Sequence, residues 1–259
     1  MSTLLLKDID WQGVMIFTAK EHWLDILTNL RKKAEGNPFF FFFDNERGSH
    51  LKVFFKNNKL SFLDNLEKSF ESYEKIDNSK YQDQIFPNFE INTIHRFQYI
   101  SENSDIQLPE KAGVSLTVEL VSKISNIIIG ALGYNSFFLE EKNRVNFALQ
   151  LAFLSPVRKS AQEKAELLNY CTEPEILNID HGLLEFYEEI QTIESEDEPI
   201  EYWVKSWIGL CESHLNLKSF DFIFDLICQI LEIRDYSEKV KNTLLAAIKS
   251  ELGQEHKEK

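Results

Sequence analysis

Residues 39–56, FFFFFDNERGSHLKVFFK, read as two β-strands and the turn that joins them. An unbroken aromatic run follows Pro38, the polar stretch NERGS carries turn-forming residues, and HLKVFFK returns as a second β-prone run. Two strands with a short polar connection make a hairpin, and the fold is read outward from it. Upstream, residues 10–18 (DWQGVMIFT) are apolar and β-rich. They lead into KEHWLDILTNLRKKAEGN, where Trp23, Ile26, Leu27 and Leu30 recur at helical spacing until Gly36 stops the helix. Downstream, residues 60–76 place Leu60, Leu63, Leu66, Phe70 and Tyr73 on one helical face with acids opposite, and EINTIHRFQYI (90–100) reads as a fourth strand.

The order strand, helix, strand, strand, helix, strand is the split βαβ (ferredoxin-like) arrangement, in which both helices cover one face of the sheet. From about residue 113 the periodicity becomes helical throughout. Seven stretches, from VSLTVELVSKISNIIIGALG to YSEKVKNTLLAAIKSEL, carry apolar residues at intervals of three and four. The expectation is therefore an α+β chain: an N-terminal split βαβ sheet with helices over residues 1–110, then an all-helical half over 111–259, packed as one unit. The acidic run 194–199 (ESEDEP) reads as a solvated loop between helices.

The bulk properties exclude several classes of function. Of 259 residues, 43% are hydrophobic and 21 are Phe, so the chain is globular with a ring-rich core. A net charge of -14 repels a nucleic-acid backbone, and no Lys/Arg block offsets it, so direct nucleic-acid binding is not expected. The N-terminus fits neither a secretory signal nor a transit peptide, and the apolar runs are too short to span a membrane; a cytoplasmic protein is expected. Cys171, Cys211 and Cys228 are widely spaced without a CxxC pair, which reads as buried free thiols and not as a disulfide framework or zinc site. No P-loop, GxGxxG, GxSxG or HExxH motif occurs. Neither a cofactor nor a metal is expected.

The hairpin resembles the glutamate-elimination domain of lantibiotic dehydratases, the family also named for thiopeptide-type bacteriocin biosynthesis. There an aromatic strand runs into a D-x-G-x-H-[ILV]-[RK] hairpin; Gly48, His50, Leu51 and Lys52 fall in those places, and Asp44 stands two residues upstream of the aspartate's place. Glu119 and Ser125 match a Glu-then-Ser pattern on a following helix, and Trp203 and Trp207 suit a Trp-containing helix near the end. The resemblance implies β-elimination of a glutamyl ester from modified Ser or Thr in a ribosomally made precursor peptide, leaving a dehydroamino acid. Related members of similar length close a pyridine ring between two such residues. Partners implied are the precursor peptide and a glutamylating dehydratase subunit, with a homodimer left open.

By the resemblance, the catalytic candidates are His50, Lys52 and Arg96, and the substrate-binding candidates are Arg47, Glu119 and Ser125. His50 and Lys52 lie two apart in a strand and share a face, where they can meet a carboxylate together. His50 reads equally as a hairpin histidine capping backbone groups, and Arg47 as an exposed turn residue. His95 and Arg96 are consecutive in the fourth strand, so only one can share a face with a central cleft. Arg96 is the expected one, because a guanidinium can fork onto a carboxylate. Glu119 and Ser125 are six positions apart on a helix and do not stack directly; packing and a local hydrogen bond account for them as well. His181 and His214 read as helix-end residues.

The family carries an arginine before the hairpin, alternating arginines after it and a histidine on a late helix. This chain has Phe43, Lys52 and Phe54 in the first places and FDLICQIL in the last. Fewer cations mean less stabilisation of developing negative charge. A chain that keeps the fold and only binds the precursor or its partner subunit is thus an alternative to the elimination enzyme, with a ring-forming cyclase a third reading.

Overall fold

The computed structural model describes residues 11–33, 38–44, 48–56, 61–73, 89–98, 118–132, 140–170, 181–192, 201–216 and 219–255. Four strands, β1 (Trp11–Phe17), β2 (Phe39–Asp44), β3 (His50–Lys56) and β4 (Thr93–Gln98), form one antiparallel sheet in the order β2-β3-β1-β4. Helix α1 (Trp23–Lys33) connects β1 to β2, and α2 (Ser61–Ser69) follows β3. This is the split βαβ topology expected from the hairpin and its flanks. Seven further helices follow among the described residues: α3 (Val118–Ala131), α4 (Glu141–Leu154), α5 (Ala161–Tyr170), α6 (His181–Gln191), α7 (Tyr202–His214), α8 (Phe220–Ile230) and α9 (Ser237–Glu255). The α+β class, a sheet followed by a mostly helical half, holds. The acidic run 194–199, Arg47 and Cys171 lie outside the described residues.

The chain divides into two compact units. The sheet, α1, α2 and α3 belong to the first, with residues 229–232; α4–α7, α9 and most of α8 belong to the second.

In the first unit, register assigns every strand side chain to one of two faces, because paired residues and alternate residues share a face. One row runs Phe43, Leu51, Ile16, Ile94, and the next runs Phe41, Val53, Val14, Arg96. This is the helix-covered face: the Trp23 indole of α1 stacks on Phe43 with ring centres 5.0 Å apart, and its Nε1–H donates to the Thr18 carbonyl at 3.1 Å. Trp23, Ile26 and Leu27 are buried there, as their spacing requires. The opposite face carries Phe40, Phe42 and Asp44 of β2, His50, Lys52 and Phe54 of β3, Met15 and Phe17 of β1, and Thr93 and His95 of β4. Phe40 stacks on Phe54 at 4.8 Å, and both are buried, so β2 is apolar on both faces. A continuous Phe run, and not an alternating one, fits that double burial.

The second unit is organised on α9, which packs against α4 and α5. Several of its buried polar groups are paired. Glu251 accepts hydrogen bonds from Lys164 Nζ and Tyr187 Oη, both at 2.6 Å, and Gln191 Nε2 donates to the Phe153 carbonyl at 2.8 Å. Burial and the neighbouring Glu251 push the Tyr187 hydroxyl well above its ordinary pKa, so it stays a donor. Lys241 lies among Asp221, Asp225 and Glu238. Burial alone lowers its pKa, but those carboxylates outweigh it and push it up to about 12. Trp207 Nε1–H donates to the Leu151 carbonyl at 2.7 Å, fixing α7 on α4. Cys211 and Cys228 are free and buried, with thiol pKa values raised by desolvation, which makes them inert.

Candidate functional site on the second face of the sheet

The turn between β2 and β3 ends in Gly48, whose φ of 108° lies in the left-handed region that glycine adopts without penalty. That conformation delivers the Gly48 carbonyl to the His50 ring, and Nδ1 lies 2.8 Å from it. A carbonyl only accepts, so Nδ1 carries the hydrogen and Nε2 presents a lone pair. His50 therefore caps a backbone group, in line with one of the two readings of this residue, and that bond selects its tautomer. His50 is fully buried, and its Nε2 has no hydrogen-bond partner among the described residues. Burial lowers its pKa from the ordinary 6.5 to about 4, outweighing the opposing contributions of the Gly48 carbonyl and Asp44, so the ring is neutral at pH 7.

Aromatic contacts set the plane of that ring. Phe17 stacks on His50 at 4.4 Å, and it also meets His95 edge-on at 5.5 Å and Phe89 at a tilt at 5.0 Å. Phe89 lies 4.0 Å from His95, and both are half-buried, so the cluster approaches the surface on the β4 side. His95 Nε2 also lies 3.3 Å from the Thr93 hydroxyl. On the β2 side, Lys52 Nζ is 2.7 Å from Asp44 Oδ2, with only 11% of the lysine side chain exposed.

The structure thus brings together two of the expected residues, His50 and Lys52, with Asp44, and adds His95 to them. Met15 pairs with Lys52 on one side and with His95 on the other, which fixes all three on one face. Arg96 lies on the opposite, helix-covered face. It pairs with Val14 in the register, and its guanidinium is 3.7 Å from Glu67 of α2, with both side chains nearly half exposed. Of the two consecutive β4 residues, His95 shares the face of His50. Ser125 of α3 is fully buried, and its hydroxyl has no partner among the described residues. Glu119 lies in the first turn of α3, and Arg47 falls outside the described residues. No group of three potential metal ligands occurs among the described residues, and no described helix is long and apolar enough to cross a membrane.

His95 carried no motif, and the signal that could have found it is its parity with Met15 and Lys52, which needs the β1 pairing. Chemically, this face offers a tautomer-fixed neutral acceptor, a lysine offset by a carboxylate, and an aromatic wall.

No protein-family model matches the chain, and no curated protein sequence does. One solved structure shares this fold over nearly all of both chains. The particular structure is a pyridine synthase, TbtD, from thiomuracin biosynthesis, with a TM-score of 0.58 over 95% of this chain and 99% of that one. At 12% identity the likeness is one of fold.

Proposed function

We propose that this chain modifies a ribosomally made precursor peptide in a thiopeptide- or lanthipeptide-type pathway, at residues that are or become dehydroamino acids. The observation that carries the reading is His50, neutral, fixed in tautomer and without a partner at Nε2 among the described residues, on the hairpin where Gly48, His50, Leu51 and Lys52 match the elimination-domain pattern. The fold likeness over nearly the full length of both chains supports it.

In the elimination reading, a base takes the α-proton of a glutamylated Ser or Thr. The Cβ–O bond breaks, glutamate leaves as its carboxylate, and a Cα=Cβ double bond remains. His50 receives the proton at Nε2, Lys52 meets the departing carboxylate, and a separate subunit installs the glutamate. Burial makes His50 a weak base, and Asp44 offsets the charge of Lys52.

Those two features favour a second reading, pyridine-ring closure on an already dehydrated peptide, where neutral groups react and no carboxylate is expelled. The neighbour's own description as a pyridine synthase points the same way. A binding-only role is the third outcome.

Mass spectrometry of the precursor peptide, supplied glutamylated and supplied dehydrated, separates the three. Loss of glutamate from the first supports elimination, ring formation from the second supports the cyclase, and co-purification of unchanged peptide supports binding alone. If neither peptide changes, the proposed modification fails, and retention of unchanged peptide leaves the binding role alone.

A further inference from the structure

We infer that His50 Nε2 is the acceptor for a neutral hydrogen-bond donor of the bound peptide, an amide N–H or an O–H, so that this face of the sheet reads uncharged peptide backbone. The inference rests on the peptide-modifying role proposed above and states what the peptide must present at that point.

Three observations converge on it. The 2.8 Å bond from Nδ1–H to the Gly48 carbonyl leaves Nε2 with a lone pair and no hydrogen. A carboxylate or phosphate oxygen brought to Nε2 sets lone pair against lone pair, whereas an N–H or O–H completes a bond. Nε2 is buried and lacks a partner among the described residues, a condition that disfavours the free protein and is relieved by a donor. The nearest charges on this face, Asp44 and Lys52, are paired with each other at 2.7 Å, so the surroundings suit a neutral group. The depressed basicity of His50 supports this, since the ring remains an acceptor throughout the neutral range. Phe17, stacked at 4.4 Å, holds the ring plane, and the half-buried Phe89 and His95 mark the side on which the cluster nears the surface.

The test uses the full chain labelled with ¹⁵N-histidine and the precursor peptide in glutamylated and dehydrated forms. The His50 ring nitrogens are assigned by their loss in His50→Phe. In the free protein, Nε2 is expected at the position of an unbonded imine-type nitrogen, and saturating peptide is expected to shift it upfield as the donor engages. His50→Phe is expected to weaken peptide binding about tenfold or more. Its melting temperature is expected to be unchanged or raised, since the substitution removes the unmatched atom.

Peptide that binds wild type while Nε2 stays put overturns the inference and leaves the proposed function standing. The inference is overturned in the same way if Nε2 is already hydrogen-bonded in the free protein and unaltered by peptide, which marks a buried water only. Equal peptide affinity of wild type and His50→Phe also overturns it. Failure of both peptides to bind wild type overturns the inference together with the function. If His50→Phe does not fold, His50→Gln supplies the assignment and the spectra of the wild-type chain decide.

Discussion

His50 and Gly48 are joined across the end of the β2–β3 turn by a 2.8 Å hydrogen bond from the imidazole Nδ1–H to the Gly48 carbonyl, and Gly48 holds φ at 108° to make it. Gly48→Ala puts a side chain at a left-handed position. It is expected to cost about 1–3 kcal/mol of stability and to release the histidine tautomer. Denaturant unfolding reads the first effect, and ¹⁵N spectra of the ring read the second.

The depressed basicity of His50 sets a pH dependence of stability. Its pKa is about 4 folded against an ordinary 6.5, so between those values the unfolded chain binds the proton and the folded chain does not. The contribution is fully present above pH 6.5 and is lost as pH falls towards 4, on the order of 3 kcal/mol in all. Unfolding free energies measured across that window should decline for wild type and decline less for His50→Phe. Equal slopes would contradict the burial of a neutral ring.

Asp44 and Lys52 are coupled. Removing either partner deletes a 2.7 Å ion pair to a lysine with only 11% of its side chain exposed, so Asp44→Asn and Lys52→Met are each expected to cost about 1–3 kcal/mol. The double variant is expected to cost less than their sum by about 1 kcal/mol. A double-mutant cycle in urea measures this, and strict additivity would remove the pair from the account.

How much of this was legible in the sequence depends on what each feature needs. The Phe run, the turn and the 3.6-residue periodicities are local, and they specify the sheet, its helices and the helical half. The face on which each residue of β4 lies is not local. It follows from Met15 sitting between Lys52 and His95, a register set by β1, a strand 70 and more residues away from β4 in sequence. Side-chain chemistry favours Arg96 beside His50, but strand parity places His95 there and leaves Arg96 beside Glu67. The unmatched Nε2 was likewise invisible, because it depends on the Gly48 backbone conformation and on burial together.

That parity yields a comparison of neighbours. Arg96→Ala removes a half-exposed ion pair and is expected to change stability by no more than about 1 kcal/mol. His95→Ala removes a ring that touches Phe17 and Phe89 beside His50. Loss of peptide conversion is expected to be greater for His95→Ala than for Arg96→Ala; the reverse order would move the site to the helix-covered face.

The central claim is that the His50 face of the sheet works on the peptide. Its most direct test is mass spectrometry of the glutamylated and dehydrated precursor peptides incubated with wild type and with His50→Phe, both first shown to be folded by circular dichroism. The account expects wild type to convert or retain at least one peptide and His50→Phe to lose that capacity. Equal conversion and equal retention by the two proteins would contradict it.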